Sequence, residues 1–421
     1  MTNPGQPPTS ILRSSLRAAA FALALICTLT TVAVQPTQAQ TFTVLHNFTG
    51  GGDGGNPYAG LTVDRAGNLY GTTVGGGNRD NDGVVFKMTH TGAIWTLTPL
   101  YTFTGGNDGG SPFAGVVFGP NGSLYGTTYY GGAHGDGTAF NLRPPVHACS
   151  NVLCSWTETV LHSFQGGTDG ANPNLGSVIF DQAGNIYGTT AYGDPAGDGT
   201  VYQLTPSGSG WTETVIYAFS GSDGQWPLSG LTLDAAGDLY GTTYQGGTYP
   251  CNGSGCGTVF ELTYSVGSGW AESFLYSFAN GADGLDPYPG LIFDASGNLY
   301  GATTGSSGTV FKLTPSGGTW TYSLVYSLSD GGGWCGPRGN LVMDGAGNLY
   351  GTTYCDVPNG TVFKLTPSDN GTWIYTLLHG FTGPDGEYPQ AGVTLDANGN
   401  LYGTTSVGGQ YGYGTVWEIT P

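Results

Sequence analysis

Six copies of an Asp-Gly-x-x-Pro motif place a carboxylate at intervals along the chain. The motif aspartates are Asp53, Asp108, Asp169, Asp223, Asp283 and Asp385. A ring of carboxylates near one opening would offer the oxygen ligands that Ca²⁺ takes. The same residues also build turns, because Asp accepts hydrogen bonds from turn backbone and Gly adopts positive φ. Both interpretations stay open, and Ca²⁺ is the only cofactor that the sequence suggests.

Residues beside the motif proline differ from copy to copy, so a repeated scaffold does not explain them. Several are aromatic, and aromatic rings stack on sugar rings. One is a base in a chain that has only nine. The ligand-binding candidates are Tyr58, Phe113, Trp226, Tyr288, Trp334, Arg338 and Tyr388. Packing beneath the loops is their alternative role.

No residue is assigned a catalytic role. His46, His162 and His379 occupy equivalent places in "VLHNF", "VLHSF" and "LLHGF", which indicates scaffold. The chain has no G-x-S-x-G or H-E-x-x-H motif, and its Gly-rich loops lack the G-K-[ST] ending of a phosphate site. Two carboxylates suffice for glycoside cleavage, but sequence does not single out a pair among 28 acids.

The elements that position these residues come from a sevenfold repeat. "DGAGNLYGTT" and six close variants carry Tyr70, Tyr125, Tyr187, Tyr240, Tyr300, Tyr350 and Tyr402. Between Gly176 and Phe219, four β-rich runs alternate with Gly, Pro, Asn and Asp turns, the signature of four strands, here a to d. Seven such copies predict an all-β, seven-bladed β-propeller with four antiparallel strands per blade.

The two ends of the repeat array fit one closed ring. The chain after the leader starts with "TFTVLHNF", a d-type strand, and ends with a, b and c strands that lack a d. We therefore expect the N-terminal strand to complete the last blade, which removes exposed sheet edges. In such a ring the d–a and b–c loops emerge at the same end.

Recurring residues within a repeat have structural roles. Asp234 should bind turn backbone, and Gly237 should take positive φ in the a–b hairpin. The Gly of "YGTT" should let a neighbouring blade approach closely. The tryptophans that open most d strands should fill space between blades or cover the rim.

Charge and leader composition indicate an exported chain. Residues 1–39 contain Arg13 and Arg17, then an apolar run and a small-residue cleavage site, typical of a signal peptide; a retained anchor is the alternative. Residues 40–421 would form the propeller. With 28 acids against 9 bases, nucleic acid and anionic membranes are disfavoured partners. We expect a secreted or extracellular monomer that does not insert into a membrane after cleavage, with the periplasm as the alternative location.

The six cysteines beyond the leader indicate disulfides, as expected of an exported chain. Their spacing pairs Cys149 with Cys154 and Cys251 with Cys256 as short loop closures. The remaining pair is Cys335 with Cys355, which would join two loops at the same end of the ring.

The strings "GNLYGTT", "GTVFKLTPSG" and the Asp-Gly-x-x-Pro loop resemble the GloVer tandem repeat of bacterial exported proteins, the family described as choice-of-anchor. The resemblance covers about residues 41 to 421 and implies export and a repeat scaffold. A looser similarity to NHL-type propeller repeats supports the fold alone. We expect an extracellular binding module for a polysaccharide or protein. The alternatives are a carbohydrate-active lyase, glycosidase or sugar oxidoreductase, and a structural envelope component.

Overall fold

Short β-rich segments separated by Gly-rich turns give 28 strands, numbered in chain order, in the described part of the protein. A computed structural model describes residues 1, 40–145, 156–251, 253–305, 308–328, 335–356 and 358–421. The strands form seven antiparallel four-stranded sheets, the blades of a β-propeller, as predicted. Thr41–Thr420 forms one compact unit.

Strands a and b of each blade are short. The a strands are β2 (Thr62–Val63), β6 (Val117–Phe118), β10 (Ile179–Phe180), β14 (Thr232–Leu233), β18 (Ile292–Phe293), β22 (Val342–Met343) and β26 (Thr394–Leu395). The b strands, which carry the repeated tyrosine, are β3 (Leu69–Thr73), β7 (Leu124–Thr128), β11 (Ile186–Thr190), β15 (Leu239–Thr243), β19 (Leu299–Thr303), β23 (Leu349–Thr353) and β27 (Leu401–Thr405).

Strands c and d form longer hairpins. The c strands are β4 (Val84–Thr91), β8 (Thr138–Arg143), β12 (Thr200–Ser207), β16 (Thr258–Ser265), β20 (Thr309–Ser316), β24 (Thr361–Pro367) and β28 (Thr415–Thr420). The d strands are β5 (Ile94–Thr102), β9 (Thr157–Ser163), β13 (Gly210–Ala218), β17 (Gly269–Ser277), β21 (Thr319–Ser327), β25 (Trp373–Gly380) and β1 (Thr41–Asn47). One 3₁₀ turn, Gly167–Asp169, follows β9.

The two ends of the chain share one sheet, as predicted. Strand β1 pairs antiparallel with β28, from Thr41 opposite Thr420 to Asn47 opposite Thr415. The sheet order β1-β28-β27-β26 makes β1 the d strand of blade 7. A hydrogen bond of 2.9 Å from the Thr404 hydroxyl to the Ala59 carbonyl joins blade 7 to blade 1. The ring is therefore closed.

The a–b hairpin follows the sequence prediction. One carboxylate oxygen of Asp234 accepts hydrogen bonds from the backbone N–H groups of Ala236, Gly237 and Asp238, at 2.8 to 2.9 Å. Gly237 has φ of 95°, which favours glycine. Aspartate thus fixes the turn that places strand b beside strand a.

The expected role of the "YGTT" glycine is wrong. A Cβ on Gly71 would lie 2.6 Å from Cζ of Phe86, and a Cβ on Gly351 would lie 2.7 Å from Cζ of Phe363. Each of these phenylalanines is on strand c of the same blade as its glycine. Glycine makes room for a cross-strand ring within one sheet, and the atoms nearest to that space belong to the same blade.

Contacts between blades come from other repeated residues. The Trp270 ring lies 6.0 Å from that of Tyr187 on the preceding blade, and the Trp320 ring lies 6.1 Å from that of Tyr240. This confirms that the d-strand tryptophans pack between blades. Each buried cluster combines residues of two adjacent blades; one includes Phe86 of blade 1 and Tyr402 of blade 7.

Two predicted disulfides lie within the described residues. Cys251 is bonded to Cys256, and Cys335 to Cys355. The predicted Cys149–Cys154 pair lies outside the described residues. Within the described ranges, no helix has the length and apolar character of a membrane span.

Candidate functional site

The d–a and b–c loops meet at one end of the ring. Isolated backbone bridges join them in several blades, such as Gly55 with Gly75, Gly110 with Tyr130, and Glu387 with Val407. Cysteines 335 and 355 link the same two loops in blade 6. We call this end the mouth, and those of the expected ligand-binding residues that the structure describes belong to its loops.

The aspartates of the Asp-Gly-x-x-Pro motif each bind their own loop. The carboxylates of Asp53, Asp108 and Asp223 accept hydrogen bonds from backbone N–H groups three or four residues earlier, at 2.8 to 3.0 Å. Asp169, Asp283 and Asp385 do the same. The six carboxylates are thus held separately in their own loops. Calcium binding by them stays a prediction.

Each of these aspartates also contacts the end of the preceding d strand. The partner is histidine in three loops: His46 with Asp53 and His162 with Asp169, both at 3.0 Å, and His379 with Asp385 at 2.8 Å. A tyrosine hydroxyl takes the same place beside Asp108, Asp223 and Asp283. The three histidines therefore occupy a repeated structural position, as their sequence context indicates.

At three successive blade interfaces, a glutamate of the next d strand faces the loop aspartate. Burial, and then the charge of Asp169, raise the pKa of Glu213 to about 7. Burial and the charge of Asp108 raise the pKa of Glu158 to about 7. Burial and the charge of Asp223 raise the pKa of Glu272 to about 7. One carboxyl oxygen of each glutamate is buried without a hydrogen-bond partner. These glutamates titrate near neutral pH.

One interface combines a histidine with two acids. Ligand atoms of His162, Asp169 and Glu213 lie within 4.8 Å of one another, the only such group of three among the described residues. Each pairwise contact recurs elsewhere in the ring, as in His46–Asp53. The donor set suits a divalent cation, but repetition of its parts also explains it as interblade structure.

Aromatic rings from neighbouring loops contact one another at the mouth. The Tyr58 ring lies 5.1 Å from Phe113, which lies 5.2 Å from Tyr129. On the other side, Tyr244 lies 5.6 Å from Tyr288. We call these rings the collar; it comprises Tyr58, Phe113, Tyr129, Tyr192, Trp226, Tyr244, Tyr288, Tyr354 and Tyr388. Each of the seven blades contributes at least one ring to the collar.

Arg338 contacts two rings of the collar, Tyr288 and Tyr354. Its guanidinium carbon lies 3.6 Å from the ring centroid of Tyr354 and 5.7 Å from that of Tyr288. Nη1 donates a 3.1 Å hydrogen bond to Oε1 of Gln390. Nε is buried and has no acceptor. Cation–π contact thus orients a base whose donors are only partly used.

The tyrosines near Arg338 remain protonated at neutral pH. Burial raises the pKa of Tyr58, the neighbouring Tyr354 adds to the rise, and Arg338 opposes it. Burial also raises the pKa of Tyr288, against the effect of Arg338. Burial and Asp286 raise the pKa of Tyr244 to about 12. These groups therefore offer hydroxyl donors.

A cavity of about 450 Å³ is lined by residues of the a strands and by two rings of the collar, Tyr58 and Tyr288. Arg338, Asn340 and Gln390 also line it. Arg338 is the only charged residue among the described residues that line it. The cavity is of ordinary size for a small-molecule or saccharide site.

The structure brings together most of the ligand-binding candidates. Tyr58, Tyr288 and Arg338 line the cavity, and Phe113, Trp226 and Tyr388 belong to the collar around it. Trp334 lies outside the described residues. The His–Asp and Glu–Asp pairs are held between blades and do not line the cavity.

Sequence reasoning missed the collar residues from the b–c loops. Tyr129, Tyr244 and Tyr354 directly follow "YGTT", and Tyr192 lies one residue further on. The same place is Val74 in blade 1 and Ser406 in blade 7. This variation between copies, already used for the d–a loops, would have identified them.

Asp286 is a second missed residue near the mouth. It is 2 % exposed, and one carboxyl oxygen has no hydrogen-bond partner. Burial raises its pKa to about 7. Asn56 and Asn172 occupy the same loop position and donate their side-chain N–H to carbonyls of the preceding blade. Aspartate can donate there only when protonated.

The sequence model of a family described as the Gloeobacter/Verrucomicrobia repeat matches residues 29–159, 152–304 and 252–421. No curated protein matches the chain. A Bacteroides uniformis structure described as a candidate 6-phosphogluconolactonase has a TM-score of 0.50 at 16% identity, covering 77% of this chain and 84% of its own. A similar Bacteroides fragilis structure has a TM-score of 0.48 at 16% identity, covering 76% and 83%. At these identities the structural likeness concerns the fold.

Proposed function

Because the chain belongs to the Gloeobacter/Verrucomicrobia repeat family, whose repeats here build one closed propeller, we propose that it is an exported module that binds glycans at the collar. The observation that carries the proposal is the series of aromatic rings around a cavity of about 450 Å³. Flat aromatic faces bind the apolar faces of sugar rings, and hydroxyl donors between them bind sugar oxygens.

Variation between blades supports binding in preference to a purely structural role. The scaffold repeats its turn aspartates and core phenylalanines, whereas the residues at the mouth vary between blades. A structural ring needs no aromatic residues at half-exposed loop positions. Exposed Tyr192 and half-exposed Trp226, whose rings are 6.0 Å apart, leave ring surface open to solvent.

The cavity lining supports binding over glycoside hydrolysis. Hydrolysis needs two carboxyl groups on either side of the glycosidic bond. Arg338 is the sole charged group along the described lining, and the paired acids lie between blades. The described lining of the cavity is therefore suited to holding a sugar, and it contains no acid that could protonate the glycosidic oxygen.

Export is part of this proposal. Arg13, Arg17 and the apolar run that follows form the signal peptide, and Thr37-Gln38-Ala39 is the cleavage site. Two disulfides in the described propeller are consistent with an oxidising compartment. Secretion of the full chain from a bacterial host, followed by mass spectrometry, should give a mature N-terminus at Gln40. Retention of the intact leader inside the cell would contradict export.

A glycan array with the purified residues 40–421 tests the binding function. We expect binding to a defined group of polysaccharides, lost when Tyr288 is replaced by alanine. Silence across neutral and acidic glycans would overturn the proposal, and selective capture of a protein ligand by the collar would replace it.

A further inference from the structure

Arg338 stands alone as a charge in the cavity of a strongly acidic protein. The chain has 28 acids and 9 bases, yet the described cavity lining contains one base and no acid. Equivalent positions after the loop proline hold uncharged residues in the other blades: Tyr58, Phe113, Asn174, Leu228, Tyr288 and Gln390. The scaffold therefore does not require a cation at this position.

The guanidinium has unused hydrogen-bonding capacity. Nη1 binds Gln390, but Nε has no acceptor. No carboxylate of the described residues lies within ion-pair distance of Arg338. A half-buried cation without a counter-charge is unfavourable, and an anionic ligand would stabilise it.

The surrounding phenols add donors around the same charge. Tyr58, Tyr244 and Tyr288 lie close enough to Arg338 for its charge to lower their pKa values against the larger effect of burial. Since burial keeps these phenols protonated, each can donate O–H to an anion. Arg338, Tyr58 and Tyr288 line the same cavity.

Resting on the proposed glycan-binding function, we infer that Arg338 and the hydroxyls of Tyr58 and Tyr288 form a subsite for the carboxylate of an acidic sugar. The planar guanidinium presents parallel N–H donors that match a carboxylate. The collar rings stack on the sugar ring that carries it. The site therefore selects uronic-acid-containing polysaccharides over neutral ones.

Net charge does not oppose this assignment at short range. The formal charge of −19 repels an anionic polymer over long distances. At physiological salt the Debye length is about 8 Å, so distant acids are largely screened. Contacts with Arg338 inside the cavity are screened much less, and binding should be measured at that ionic strength.

The test uses matched ligands and the intact mature chain. Calorimetry compares oligosaccharides of galacturonate, glucuronate and mannuronate with their methyl esters, which keep the ring but lose the charge. We expect the acids to bind roughly 10- to 100-fold more tightly than their esters, the range for hydrogen bonds to a charged group. Arg338→Gln should remove this preference, and Arg338→Lys should restore part of it.

Arg143→Gln is the control, because it removes one exposed base away from the cavity and should keep the preference. Thermal unfolding of each variant verifies folding. Equal binding of acids and esters, or a preference unchanged in Arg338→Gln, would overturn the carboxylate subsite and leave glycan binding standing. Absence of binding to every acidic and neutral glycan would overturn both.

Discussion

The ring of Phe42 stacks on the imidazole of His379, with centroids 3.6 Å apart and planes 3° apart. Phe42 lies on strand β1, and His379 lies on strand β25 of blade 6. The first strand of the propeller thus packs against its penultimate blade while it pairs with β28. Ring closure therefore has a side-chain component as well as a backbone one.

Truncation of Phe42 should destabilise the closed ring. Phe42→Ala removes the contacts with His379 and Trp417, and we expect a loss of roughly 2 kcal/mol in the free energy of unfolding, since the side chain is half-buried. Denaturant unfolding measures it. The exposed neighbour gives the control, because Thr43→Ala should change stability by no more than about 0.5 kcal/mol. Equal effects of the two substitutions would show that the Phe42 side chain does not stabilise the closed ring.

Stability should fall as pH rises through the neutral range. The pKa of Glu213 is raised from 4.5 to about 7 in the folded protein. Between those values the folded state binds more protons than the unfolded state, so the free energy of unfolding decreases with pH and is lowest above 7. Glu158 and Glu272 act in the same direction.

Glu213→Gln should remove the part of this pH-dependent loss of stability that Glu213 causes. We expect a rise in melting temperature of roughly 2 °C at pH 8 and little change at pH 4, where the glutamate is protonated in both states. Asp369→Asn, which removes an exposed acid in a c–d turn, is the control and should show no such pH dependence. A stabilisation of Glu213→Gln that is equal at both pH values would contradict the account.

The Cys335–Cys355 disulfide should stabilise both the fold and the mouth. It joins residues 20 apart, and in the chain-entropy model its loss costs about 3 kcal/mol. The double alanine variant should unfold at lower temperature and bind glycan more weakly, since Arg338 follows Cys335 by three residues. Removing Cys251–Cys256, with a separation of 5, should cost less, about 2 kcal/mol, and spare binding. Unchanged melting without Cys335–Cys355 would contradict this.

Collar rings should contribute to binding according to their place at the mouth. Tyr288→Ala removes a ring that lines the cavity and contacts both Tyr244 and Arg338. We expect at least a tenfold loss of glycan affinity in calorimetry, since one aromatic contact contributes about 1.5 kcal/mol. Tyr264→Ala is a matched control, because Tyr264 is 57 % exposed on a c strand away from the cavity. Similar losses in both variants would argue against a site at the mouth.

The sequence predicted the features that depend on residues close together in the chain. Asp234 and Gly237 fix a hairpin within five residues, and the four-strand repeat follows from such turns. Closure by β1 was predictable because the missing strand appears in the sequence as a lone d strand. The pairing of Cys335 with Cys355 was also predictable, because their two loops emerge at the same end of a closed ring.

The particular residue pairs that meet between successive blades could not be predicted in the same way. Asp108 and Glu158 are 50 residues apart, and their proximity depends on how far one blade is rotated from the next. The collar is similar: Tyr244 meets Tyr288 only through the curvature of the ring. The role of Gly71 was predicted wrongly for a different reason. Its neighbour depends on the register of β3 and β4, which places Phe86 opposite it.

A structure of residues 40–421 with a bound acidic oligosaccharide would locate the ligand directly. We expect the sugar at the mouth, with a ring against Tyr288 or Tyr58 and a carboxylate on Arg338. A sugar bound to the outer d strands, or at the end formed by the a–b and c–d turns, would contradict it.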